Sequence, residues 1–252
     1  MKHFLLIAVS AVFIASSCSV KEDRMDCPCT LDVCVSGGNE SIVTLAMWNQ
    51  VLKHSCDISI EGEGDRHLVP IPRGQYKLSA CSGLRHDMPS DGILLLNKGE
   101  EMDEMFTGQE NLTALKDSAE CYVELHKQYS QINMKLLCFQ YSDLPDSLIV
   151  RGNVDGMNII DMTPHSGDFE VIVHTVFGEF CRVCVPRQTD SSLELVVEGL
   201  GTIPLGKYIE DAGYDWTVRD LPDMEIVIDL MENHVEIKAE GWEDSRSLNL
   251  II

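Results

Sequence analysis

Leu31-Asp32-Val33-Cys34-Val35 puts an apolar side chain at every second position, and that alternation decides the fold class. Successive side chains of an extended chain point to opposite faces, so Leu31, Val33 and Val35 share one face while Asp32 and Cys34 share the other. A helix would need a period near 3.6, which these residues lack. The period of two returns at Tyr76, Leu78 and Ala80, spaced by Lys77 and Ser79, and again at Val171 and Val173, which alternate with Ile172 and His174. Further strands are expected over 42–48, 132–139, 148–154, 180–185, 193–197, 224–230, 235–239 and 248–252, each short and bounded by Gly, Pro, Asn or Asp. Short strands between such turn residues predict an all-β chain of antiparallel β-sandwiches. Helical periodicity is confined to a fragment at 101–105, and the sequence shows neither a short-period repeat nor a low-complexity tract.

Ahead of the strands, Lys2 and His3 precede an apolar run over 4–15 that closes on Ala15-Ser16-Ser17-Cys18. The run falls short of the roughly 20 residues a membrane-crossing helix needs, so residues 1–17 read as a signal peptide outside the fold. A cysteine at the cleavage point resembles a lipobox, which makes Cys18 the expected lipidation site; acyl chains bury about 0.8 kcal/mol per CH2 and hold a domain at a bilayer. Residues 18–26 are charged and read as a tether. The chain has 19 Lys and Arg against 41 Asp and Glu, a net charge of −22, and loss of Lys2 with the leader makes it −23. A surface this acidic repels phosphate backbones and excludes nucleic acid as a partner. The remaining length suits two domains, expected at 27–128 and 129–252, with a boundary near 127–131.

Apart from Cys18, nine cysteines remain, at 27, 29, 34, 56, 81, 121, 138, 181 and 184, a number that cannot pair fully within one chain. Cys181-x-x-Cys184 falls in an expected strand, where residues three apart face opposite sides and cannot share a metal without a bend. Cys27-Pro28-Cys29 faces one side but offers only two sulfurs, half a tetrahedral zinc site. Gly62-Glu63-Gly64-Asp65 lacks the full calcium-loop pattern and reads as an acidic turn. No Gly-x-Ser-x-Gly elbow, His-Glu-x-x-His or phosphate-cradling glycine loop appears, so no catalytic residue, metal ligand or cofactor is assigned and the chain is expected not to be an enzyme.

Four features, in order, resemble the fimbrillin-associated anchor lipoproteins of Bacteroidales fimbriae. They are the lipobox followed by Lys21-Glu22-Asp23; Asp26-Cys27-Pro28 leading into the strand at 31–35; the hairpin Val69-Pro70-Ile71-Pro72-Arg73-Gly74-Gln75-Tyr76-Lys77-Leu78; and the ending, in which Asp223-Met224-Glu225-Ile226-Val227-Ile228 and Val235-Glu236-Ile237 lead to Gly241-Trp242. The resemblance covers essentially the whole chain. It implies two tandem transthyretin-like sandwiches, a lipid anchor at the outer-membrane surface, fimbrial rod subunits as partners, and a role in attaching a fimbrium and governing its assembly or length. The ten cysteines depart from the family pattern. Asp117-Ser118-Ala119 and Asp146-Ser147-Leu148 resemble the O-glycosylation sequon of Bacteroidota, which marks Ser118 and Ser147. Leu248, Leu250 and Ile252 alternate on one face of the last strand, which can either close its own sheet or be donated to a rod subunit. The rival reading is a lipid-anchored glycan-binding protein; it requires exposed aromatic rings on one face, whereas assembly requires an open sheet edge.

Overall fold

The computed structural model describes residues 27–39, 41–62, 64–138 and 145–250; Cys18, the leader, Phe139 and Ile252 lie outside them. The chain is all-β. The first half supplies β1 (Cys29–Ser36), β2 (Ile42–Asn49), β3 (Val51–Ser59), β4 (Arg66–Ile71), β5 (Gly74–Ser82), β6 (Ile93–Leu95), β7 (Phe106–Ala114), β8 (Ser118–Glu124) and β9 (His126–Lys127). The second half supplies β10 (Tyr129–Leu137), β11 (Ser147–Asn158), β12 (Thr163–His174), β13 (Cys181–Pro186), β14 (Glu194–Val197), β15 (Gly201–Ile203), the helix α1 (Leu205–Asp211), β16 (Met224–Asp229), β17 (His234–Ala239) and β18 (Arg246–Asn249).

Sheets β4-β1-β8 and β3-β2-β5-β7-β9 face each other across a core. Cys29, Leu31, Val33 and Val35 on β1 meet Val43, Leu45 and Met47 on β2 and Leu78 and Ala80 on β5 there. Sheets β13-β10-β16-β17-β18 and β12-β11-β14-β15 do the same around Ile132, Met134, Leu148, Val150, Val171, Leu195, Ile226 and Ile237. Pairing is antiparallel except where β1 meets β8 and β10 meets β16, each a parallel pair whose strands are far apart in sequence, as a crossover requires.

Those two parallel pairs disclose an internal repeat of topology. In each half the first strand lies between an antiparallel fourth strand (β4, β13) and a parallel late one (β8, β16). The second strand of each half pairs with the third and fifth (β3 and β5; β12 and β14). A search for periods of about 20–50 residues cannot reveal a unit of this length.

The halves are locked together. Strand β6 crosses over to pair with Gly156, Met157 and Asn158 of β11. The β11–β12 hairpin lies on the outer face of the first half's five-stranded sheet, where Ser79 Oγ donates to the Ile159 carbonyl at 3.2 Å and Lys77 Nζ bonds Asp161 at 2.7 Å. A third core, with Cys81, Leu94, Met102, Met105, Tyr129, Met157, Ile159 and Cys184, fills the junction.

The fragment 101–105 is not helical, and the one helix among the described residues, α1, was not expected from sequence. Residues 96–104 instead form an irregular strap, turned at 97–100, across the side of the second sandwich. Leu96 N–H donates to the Asp155 carbonyl, Gly99 N–H to that of Glu170 and Met102 N–H to that of Cys184, at 2.8, 2.9 and 3.0 Å. The acids of this fragment each hold a partner: Glu101 accepts the Cys184 N–H at 2.8 Å, buried Asp103 accepts the Arg85 N–H at 3.0 Å and its guanidinium, and Glu104 pairs with Arg182. Tertiary hydrogen bonds override a weak local preference for helix.

Candidate functional site

Strand direction gives the molecule two poles. At one, β1 begins and Cys29 lies opposite Ile71, while Gly74 lies opposite Ala114 and Thr30 opposite Ser118. Arg73 fastens this end: its Nε donates to the Cys27 carbonyl at 2.9 Å, Nη1 to the Leu115 carbonyl at 2.8 Å, and Nη2 pairs with Asp117 at 2.5 Å. The described chain begins here, at Cys27, which makes this the N-terminal pole. At the other, distal pole lie the ends of β10 and β12, the start of β13 and the β16–β17 turn, tied by Leu230 N–H to the Leu137 carbonyl and Thr175 N–H to that of Asp146.

The sequence-expected residues scatter over this frame. Ser118 is exposed at the N-terminal pole and Ser147 half-buried at the distal one. Leu248 lies opposite Val235 and packs against the second core, and Leu250 is buried with its N–H on the Asn233 carbonyl, so the described part of the tail closes its own sheet. Cys181 and Cys184 face opposite sides of β13, toward the second core and the junction core respectively. Asp65 accepts the Glu61 and Gly62 N–H groups, both at 2.9 Å, in a tight acidic turn. Among the described residues no cluster of three His, Cys, Asp or Glu could hold a metal ion, and no helix is long and apolar enough to cross a membrane.

Two features were not found by sequence reasoning. The first is a cleft of about 940 Å³ between the halves, lined by β7 and β8, by His126 and by the segment after α1. Arg187 pins its floor, donating to the carbonyls of Lys127, Trp216, Val218 and Arg219. Burial pulls this guanidinium below its ordinary pKa, though Tyr214, Asp220 and Asp215 oppose the shift. With those N–H groups committed to carbonyls, it offers little to an anionic ligand. Glu110, Glu124, Glu210 and Asp215 surround the mouth. Of the three aromatic residues lining it, Tyr214 and Trp216 are buried edge-to-face at 4.7 Å, and only Tyr122, 57 % exposed, offers a ring to solvent. The second is the β12–β13 turn at the distal pole, where Val176, Phe177 and Phe180 are exposed. Large apolar residues flanking Gly178 in a turn, where polar ones are the rule, are the signal that could have marked it.

No protein-family model and no curated protein sequence matches the chain. Solved structures do. A candidate polysaccharide-binding protein of Bacteroides thetaiotaomicron superposes with a TM-score of 0.61 at 13 % identity, covering 88 % of this chain and 98 % of that one. A candidate adhesin of Bacteroides ovatus gives 0.59 at 12 % identity, over 92 % and 98 %. The fimbrial anchor protein Mfa2 of Porphyromonas gingivalis gives 0.55 at 12 % identity, over 86 % and 98 %. At such identities the likeness is one of fold: the all-β sandwich architecture is common to this chain and to these fimbrial and adhesin-like proteins.

Proposed function

We propose that this chain is a surface lipoprotein of the outer membrane that anchors a fimbrium, held by lipid on Cys18, bound to fimbrial rod subunits, and contributing to assembly or length control and to cell adhesion. It acts by binding rather than by catalysis. One observation carries the reading: the likeness of fold to a fimbrial anchor protein extends over nearly that protein's full length. The polarity of the molecule agrees with it, because the chain enters at one pole and leaves the opposite pole free to face away from a membrane. Replacing Cys18 with Ala tests it. Mass spectrometry of wild-type membranes should find an acylated Cys18, and the variant should lose that acylation together with protease-shaved surface peptides and cell-retained fimbriae. An unmodified wild-type N-terminus, or a protein that proteases never reach on intact cells, overturns it.

A second reading, glycan binding, draws on the cleft and on the similarity to the B. thetaiotaomicron protein. A single exposed ring makes the cleft a poor stacking platform, so this reading ranks behind anchoring.

A further inference from the structure

The cleft between the halves is lined by polar atoms that the protein itself leaves unmatched. Its volume of about 940 Å³ and its place at the seam between two sandwiches suit a preformed site for a small ligand. Three of the side chains lining it carry a buried atom with no hydrogen-bond partner among the described residues: Gln109 Oε1, His126 Nε2 and Trp216 Nε1. His126 and Trp216 are only 6 and 5 % exposed, so bulk water does not serve them. A buried polar atom without a partner keeps its full desolvation penalty, and a ligand group that meets it removes that penalty.

The surrounding elements aim these groups. Gln109 on β7 lies directly opposite Ser79 on β5 and so shares its face of the sheet. Ser79 Oγ reaches the Ile159 carbonyl of the β11–β12 hairpin, so Gln109 also projects toward that hairpin, whose Met162 and Pro164 form an apolar wall of the cleft. His126 Nδ1 bonds the Asp220 carboxylate at 3.1 Å and therefore carries the proton of the neutral ring, which makes Nε2 an acceptor. That Nε2 faces the carboxylate of Glu124 in the cleft wall at 3.7 Å, too far for a hydrogen bond. Trp216 is fixed by Arg187, which donates to its carbonyl at 2.6 Å, and by edge-to-face packing on Tyr214.

One donor and two acceptors define what fits. A group that only donates, such as an ammonium, leaves Trp216 Nε1 unmatched. A group that only accepts, such as a carboxylate or phosphate, leaves Gln109 and His126 unmatched and also meets the charges of Glu110, Glu124, Glu210 and Asp215. Neither arginine of the cleft offsets those acids: Arg187 is spent on backbone carbonyls, and Arg219 pairs with Glu124 at 3.2 Å. A hydroxyl both donates and accepts without carrying charge, and a sugar ring presents several in fixed directions. We infer that the cleft binds an uncharged glycan, held by hydrogen bonds between its hydroxyls and Gln109, His126 and Trp216 rather than by stacking on a row of rings. The inference deepens the glycan-binding reading and rests on it; it does not depend on anchoring through Cys18.

An array of short uncharged oligosaccharides of hexoses and N-acetylhexosamines, printed beside sialylated, sulfated and uronic-acid counterparts, tests it on the full chain purified from membranes. The protein should bind uncharged members and reject the acidic ones. Gln109→Leu, which keeps the bulk and removes the acceptor, and Trp216→Phe, which keeps a ring and removes the donor, should each weaken the best ligand about tenfold or more in calorimetric titration, the scale of one hydrogen bond to a buried group. A diazirine-bearing form of that ligand should label peptides of the cleft in the wild-type protein, which fixes the site even where a substitution harms folding. Preference for acidic glycans, full affinity in both variants with wild-type melting temperatures, or labelling confined to another surface overturns the inference while the glycan-binding reading stands. An array on which nothing binds overturns that reading as well.

Discussion

Cys81 and Cys184 sit in the junction core with Met102, Met105 and Tyr129, and burial raises both thiols, to about 12 and about 11. The thiolate is the reactive form, so neither side chain is available to oxidants or alkylators at neutral pH while the fold is intact. Iodoacetamide at neutral pH should therefore label exposed Cys27 in the native protein and reach Cys81 and Cys184 only after denaturation, as peptide mass spectrometry would report. Native labelling of Cys184 would mean the junction opens. At the same junction Asp220 accepts the Lys127 N–H at 2.8 Å and bonds the His126 ring at 3.1 Å. Burial pushes its carboxyl up, but those two bonds prevail and hold it below the ordinary value. A carboxyl lowered by folding adds stability above its unfolded pKa of about 3.9 and loses it as pH falls through the folded value. Asp220→Asn should flatten the acid limb of melting temperature against pH below about pH 4. An acid limb identical to wild type would show that the contact contributes nothing.

At the scale of elements, the short strand β6 makes the halves inseparable, and Gly156 makes β6 possible. A Cβ at 156 would stand 2.0 Å from the Leu94 carbonyl oxygen, backbone that cannot yield without breaking the β6–β11 pairing. Gly156→Ala should cost about 2 kcal/mol or more in urea unfolding, the scale of a forced overpacking, and a change within experimental error would mean that β6 contributes little. Strands whose apolar residues alternate cleanly, β1, β10, β12, β16 and β17, were legible from sequence because one face of each is buried. Strands β3 and β7 were not: Val51-Leu52-Lys53-His54-Ser55 and Phe106-Thr107-Gly108-Gln109-Glu110 carry polar residues on both faces, one edge or face being solvated or turned toward the cleft. The strap was misread because its acids are spent on partners distant in sequence, which no local pattern encodes. The distal apolar turn is not legible as one, since residues 180–185 read as a single strand that takes in Phe180.

At the scale of the molecule, the halves share a strand, a hairpin and a core. Removing either one would strand Met102, Met105 and Ile159 against water. A shared interior of that kind predicts one cooperative thermal transition by calorimetry, with calorimetric and van't Hoff enthalpies in agreement. Two resolved transitions would show that the junction melts ahead of the sandwiches.

The direction in which β1 runs bears on what happens when the molecule is pulled. A load applied between the N-terminal and distal poles enters at Cys27 and acts along the axis of β1, which is paired over seven residues with β8 and over six with β4. To extract β1, the pull must slide it past both neighbours and strain all those hydrogen bonds together; it cannot peel them off one at a time. Shear of this kind resists force far better than unzipping. Tension between the two poles therefore meets β1 as a clamp, which leaves the fold intact until those bonds fail together.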